Sequence, residues 1–111
     1  MAKTPLDLAM AWMDAFFGND PNAMRPLLAD DLAFEGPQAR FDSAEAYLVS
    51  LEASPPEGEY ELLEAFENGD TACLIYRFIK PGIDLPMAQV FTARGEKIKV
   101  IRLIFDSAPF R

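Results

Sequence analysis

The chain has no histidine, so any proton transfer near neutral pH falls to carboxylates, tyrosine, lysine or water. A carboxyl group can act as acid or base at that pH when apolar surroundings raise its pKa, so the carboxylates that border apolar runs are the first candidates. Glu35 ends the alternating run Leu32-Ala33-Phe34, and Gly36 leaves backbone room beside it. The alternation that turns Phe34 inward sends Glu35 toward solvent, and carboxylates are rarely buried unless paired. Asp106 closes the last apolar run of the chain, where capping of the following loop competes with an acid/base role. Gln89 lies between Met87 and Phe91 in a strand pattern and shares their face, so its amide either orients a carbonyl or hydroxyl of a ligand or satisfies itself in the core.

Other reactive types read as structural. Cys73 sits beside Leu74 and Ile75 with no imidazole to activate it, which makes it a small core hydrophobe. Asp30-Asp31 resembles a metal pair, but at a helix end adjacent side chains diverge, so solvated capping is expected there. No metal or cofactor is read from the chain. Arg77 and Arg102 are expected in ion pairs on an outer sheet face with some of the eighteen acidic residues.

The elements that must position these residues can be read in order. Thr4-Pro5 starts a first helix as N-cap and first helical residue, Asp7 suits the positive first turn, and Gly18 ends it. Leu8, Trp12, Ala15 and Phe16 recur along one face while Ala9, Met13 and Phe17 widen it, so this helix should be buried on more than one side. Asp20-Pro21 opens a shorter helix through Leu28, kinked or shortened by Pro26 and stopped by Asp30-Asp31. Leu32 and Phe34 mark a strand that Gly36-Pro37 terminates. Asp42 with Glu45 three residues on reads as a capping box for a third helix carrying Ala44, Tyr47, Leu48 and Leu51, which Pro55-Pro56-Glu57-Gly58 ends.

Strands follow. Glu59–Glu67 and Asp70–Lys80 flank Asn68-Gly69, a type I′ turn signal. With those two turn residues Leu63 opposes Leu74 and Leu62 opposes Ile75, which puts Glu61, Leu63, Leu74, Tyr76 and Phe78 on one face and Tyr60, Leu62, Cys73 and Ile75 on the other. Lys80–Pro86 is a proline-bounded connection, and Met87–Arg94 pairs with Lys97–Asp106 around Gly95-Glu96. Ile101, Leu103 and Phe105 then share one face of the last strand, and Ile98, Val100, Arg102 and Ile104 the other. Residues 107–111 read as a C-terminal tail after a single domain spanning residues 1–106.

Composition bounds the function. A chain of 111 residues has room for one core. Half its residues are apolar without a membrane-length run. The net charge of −8 opposes nucleic acid and anionic membranes as partners. The start MAKTPLDLAM has no long apolar stretch of a signal peptide and the lone cysteine forms no internal disulfide, so a cytoplasmic location is expected.

The order of elements, with FFGNDPNAMRPLLADDLAFEGP and the closing GEKIKVIRLIFD, resembles the SnoaL-like branch of the nuclear transport factor 2-like superfamily over nearly the whole chain. The resemblance implies an α+β, cystatin-like fold: three N-terminal helices packed in the concave face of a strongly curved mixed sheet, enclosing an apolar cone. Trp12, Phe16, Tyr47, Tyr76, Phe78, Phe91, Leu103 and Phe105 would line that cone. It also implies a homodimer through the outer sheet face, where Ile75, Ile98, Val100 and Ile104 would lie, and a small apolar ligand carrying a carbonyl or hydroxyl.

Ketosteroid isomerases in the superfamily use a tyrosine, a carboxylate base and an acidic oxyanion partner, and those positions fall here at Trp12, at Gly36 beside Glu35, and at Gln89. All three depart from the isomerase pattern. The Asp–Arg–Asp arrangement of limonene epoxide hydrolase finds no match in this chain. Isomerase-, cyclase- or hydratase-type proton transfer would therefore rest on Glu35 or Asp106, with Gln89 as neutral donor; a non-catalytic binding or protein-interaction module is the alternative.

Overall fold

The computed structural model describes residues 3–110. Three helices and a six-stranded mixed sheet make an α+β domain with a radius of gyration of 13.2 Å. Helix α1 (Pro5–Phe17) begins in a complete capping box: the Asp7 amide donates to Thr4 Oγ1 at 3.0 Å, and the Thr4 amide donates to Asp7 Oδ2 at 3.1 Å. Its wide apolar stripe is buried as expected, with Leu8, Ala9, Trp12, Met13 and Ala15 all inside the core. Helix α2 (Pro21–Met24) lasts one turn before a 3₁₀ turn (Arg25–Leu27) takes over at Pro26.

Strand β1 (Leu28–Glu35) starts earlier than the sequence suggested, so Asp30 and Asp31 lie in a strand and not at a helix end. Proline explains the difference, because its ring stops the helical ladder and releases Leu28 to pair with β6. Strand β2 (Arg40–Phe41) folds back on β1, and α3 (Ala44–Ala53) follows it. Its N-cap is Ser43, whose Oγ accepts from the Ala46 amide at 3.1 Å, in place of the expected Asp42. Glu45 does not reach back; it pairs with Arg25 at 2.9 Å.

Strands β3 (Glu59–Asn68), β4 (Thr71–Lys80), β5 (Ile83–Arg94) and β6 (Lys97–Ile104) form an antiparallel meander. The sheet order is β2-β1-β6-β5-β4-β3, with β1 parallel to β6. Three registers differ from expectation. Asn68 pairs with Thr71, so the first turn is Gly69-Asp70, and only Gly69 takes a positive φ, of 62°. A bulge at Leu63 then moves Tyr60 and Leu62 onto the face of Tyr76 and Phe78, and Glu61 onto the face of Arg77.

Lys80–Pro86 is no loose connection, since Lys80 pairs with Ile83 across Pro81-Gly82 and β5 runs on through Pro86. Pro86 is tolerated because β6 pairs with β5 only from Ala88 onward, leaving the proline at an open edge. In β6 a bulge at Lys99 turns both Ile98 and Ile101 inward, fully buried, so Ile98 leaves the outer face assigned to it. Among the described residues no helix is long and apolar enough to cross a membrane.

Candidate ligand cavity

Helix α1 lies across the concave face of the sheet, and the aromatic residues of its last turns stop short of filling the space beneath them. Trp12 and Phe16, one turn apart, stack at 4.8 Å between ring centroids. Phe17 continues the aromatic wall toward Phe78, 6.1 Å away. From the other side Phe34 of β1 stacks on Tyr47 of α3 at 4.9 Å. The C-terminal 3₁₀ turn (Ala108–Phe110) closes one end, where Phe110 meets Phe105 at 5.2 Å and Phe78 at 6.2 Å. These walls, with Gln38, Tyr76, Met87, Gln89 and Leu103, line a half-open cavity of about 190 Å³.

Its polar groups are few and neutral. Gln89 is fully buried, and its Oε1 accepts from the Tyr76 hydroxyl at 2.7 Å. Cross-strand pairing sets this contact: Leu74, Gln89 and Leu103 form one row across β4, β5 and β6, with Tyr76 two residues on from Leu74. Among the described residues the Gln89 Nε2 and Trp12 Nε1 donors, both buried, meet no acceptor. Burial pushes the Tyr47 and Tyr76 phenols well above their usual pKa, so both stay neutral donors at physiological pH. No carboxylate is among the residues that line the cavity.

Of the three residues proposed for chemistry, the structure brings only Gln89 to the cavity. Glu35 is exposed on the outer sheet face, in register with Arg102 of β6, because β1 alternates regularly after Leu32 and turns Phe34 inward in its place. Asp106 is exposed and its Oδ1 accepts from the Ala108 amide at 3.0 Å, which is loop capping. Of the eight expected lining residues, Trp12, Phe16, Tyr47, Tyr76, Phe78, Leu103 and Phe105 line the cavity. Phe91 does not, because it packs edge-on behind Trp12 at 5.4 Å.

Phe17, Phe34, Gln38, Met87 and Phe110 complete the wall. Alternation and helical spacing point to Phe17, Phe34 and Met87, whereas Gln38 and Phe110 arrive from a loop and a terminal turn that carry no periodic signal. Arg77 makes the expected ion pairs, with Asp84 and with Glu61 at 3.2 Å, while Arg102 makes none among the described residues. Asp31 is held by Arg94 through two bonds, 2.5 and 3.1 Å long, at the surface. Among the described residues no cluster of metal-ligating side chains occurs.

The structure is similar to several solved ones. An NTF2-like protein of unknown function from Cytophaga hutchinsonii superposes with a TM-score of 0.85 at 23% identity, covering 96% of this chain and 94% of that one. A protein from Kribbella flavida matches with a TM-score of 0.84 at 30% identity, covering 95% and 88% of the two chains. A candidate polyketide cyclase from Sinorhizobium meliloti matches with a TM-score of 0.76 at 25% identity, covering 88% and 94%. A search of curated proteins returned no match. The sequence profile of the SnoaL-like domain matches residues 9–101, and with the helix-filled curved sheet around one aromatic cavity this establishes that the chain belongs to the SnoaL-like domain family.

Proposed function

We propose that this domain binds a small, largely apolar molecule in the cavity between α1, α3 and the sheet, and that it does so without acid/base chemistry of its own. The observation that carries the reading is the cavity itself: about 190 Å³ walled by aromatic side chains, with a buried amide and no carboxylate on its surface. Apolar walls with a few fixed polar groups are the usual composition of a small-molecule site. The test fills the space. Leu103→Trp should abolish binding of an apolar ligand, whether co-purified or added, while the circular dichroism spectrum stays that of the folded domain. Retained affinity in that variant would assign binding to the surface and remove the reading.

A second reading, proton-transfer catalysis of the isomerase or cyclase type, draws support from the likeness to the candidate polyketide cyclase. It needs Glu35 or Asp106 to reach a substrate from positions now in solvent. Glu35→Gln and Asp106→Asn, assayed for both affinity and turnover, separate the two: lost turnover with retained binding in either variant favours the enzyme.

A further inference from the structure

We infer that Phe110 is the movable gate of the cavity, swinging out to admit a ligand and closing over it again; this rests on the ligand-binding reading above. Exposure locates the mouth. Of the lining residues, Phe16, Phe17, Gln38, Leu103, Phe105 and Phe110 reach solvent while the others are buried, so these six frame the opening.

The six are not equally fixed. Phe16 and Phe17 belong to the hydrogen-bonded ladder of α1, and Leu103 is held in β6 opposite Gln89. Gln38 sits in a turn closed by the Gly36 amide, which donates to the Ala39 carbonyl at 3.0 Å. Phe105 follows directly on β6. Phe110 differs. Its amide donates to the Ser107 carbonyl at 3.0 Å, a bond within its own turn, and among the described residues the contacts that tie it to the domain body are those of its ring.

Those contacts are reversible ones. The ring meets Phe105 edge-on at 5.2 Å and Phe78 at 6.2 Å, and Lys80 Nζ stands 5.5 Å over it. Lys80 follows Tyr76 and Phe78 on the same face of β4, one step beyond the cavity wall. It makes no ion pair among the described residues, so its charge is left to the ring. Phe110 and Lys80 are both half-buried. Two aromatic pairs and one partly exposed cation–π contact are weak enough to leave an undocked form populated at roughly 0.1–10%. Undocking the ring widens the mouth without breaking a helix or a strand, and redocking shuts water out behind a ligand.

Trp12 is the single tryptophan, stands on the cavity wall and is 2% exposed, so acrylamide quenching of its fluorescence reads the gate without any ligand. Phe110→Ala should raise the quenching rate constant about threefold or more, with the circular dichroism spectrum of the folded domain. Lys80→Met should raise it about twofold, whereas Lys80→Arg, which keeps a cation over the ring, should leave it at the wild-type value. The two Lys80 variants carry the test if Phe110→Ala does not fold. Fluorine NMR exchange with fluorobenzene then reads passage through the mouth. Association and dissociation should both quicken about tenfold in Phe110→Ala, because a gate limits both directions, whereas loss of a wall contact quickens dissociation alone.

Equal quenching in the wild type, Phe110→Ala and Lys80→Met overturns the gate, and so does a faster dissociation with unchanged association. Fluorobenzene binding with either of those results leaves the ligand-binding reading standing. Absence of fluorobenzene binding in every form counts against that reading, while the quenching series still decides whether Phe110 moves.

Discussion

Three tyrosines stand in the chain, and each is held above its ordinary pKa in the fold. For Tyr47 and Tyr76 the cause is burial among aromatic rings. For Tyr60 burial leads as well, with the nearby Asp14 carboxylate adding to it. A raised phenol pKa means that the folded state keeps protons the unfolded chain releases from about pH 10 upward. Stability from these groups is therefore fully present below that pH and is lost as pH rises. Absorbance at 295 nm should detect no phenolate from Tyr47 or Tyr76 at the ordinary tyrosine pKa, and both should ionise only as the alkaline unfolding transition seen by circular dichroism sets in. Early titration of two tyrosines with native ellipticity would mean that the cavity wall is open to water. The same burial makes Gln89 informative, since a neutral amide can sit where an ionised carboxylate could not without a partner.

Tight turns at Gly69, Gly82 and Gly95 join the four long strands, and a Cβ at each would meet open space, unlike one at Gly58 ahead of the first of these strands. Gly95 has a φ of 65° and open space where a Cβ would be, so Gly95→Ala bears conformational strain alone, about 1–2 kcal/mol. Gly58, which leads out of α3 into β3, has a φ of 107°, and a Cβ there would sit 2.8 Å from the Ile79 carbonyl oxygen and 3.1 Å from the Phe78 ring. Strain and backbone overlap then combine. Gly58→Ala should cost about 3 kcal/mol or more and, because Phe78 is a wall of the cavity, should also weaken ligand binding. Urea midpoints of the two variants check the order; equal losses would show that the β3 entry relaxes freely. At the far end of the sheet, the stretch read as a C-terminal tail seats Phe110 against Phe78 and Phe105, with Lys80 Nζ 5.5 Å over its ring; Arg111 lies outside the described residues.

The molecule as a whole leaves one sheet face uncovered. Phe66 is 52% exposed and Ile104 54% exposed on that face, and Ile75, Val90 and Val100 are half-buried between them. We propose that a second copy of the chain covers it in a twofold dimer. The face carries both signs of charge, Glu61 and Glu64 with Arg77 and Arg102, so a twofold mate can oppose unlike charges around an apolar centre. Sedimentation velocity should then report twice the 12.4 kDa chain mass at micromolar concentration. Ile104→Lys or Val100→Lys should give a folded monomer, and added salt should tighten the wild-type dimer by screening a charge of −8 on each chain. A 12.4 kDa species at every salt concentration ends the proposal.

Local signals carried most of the architecture. Thr4-Pro5, Gly36-Pro37, the proline run after α3 and the glycine turns act within a few residues, so the helices, the strand after them and the closing hairpin were legible, as was the family resemblance. Faces counted from alternation were legible only as far as the first bulge. One extra residue at Leu63 and another at Lys99 reverses the phase, which moved Tyr60 and Ile98 inward, and nothing local to those residues announces it. Helical and strand periods place Trp12, Phe16, Tyr76, Phe78, Leu103 and Phe105 on inward faces, and these stand on the cavity wall, whereas Phe17, Phe34 and Phe110 stand there too without having been among the expected residues. The chemistry of that wall was not legible. Which polar groups reach it depends on where the strands end and how the loops close, and this tertiary arrangement left Glu35 and Asp106 in water while burying Gln89 against Tyr76.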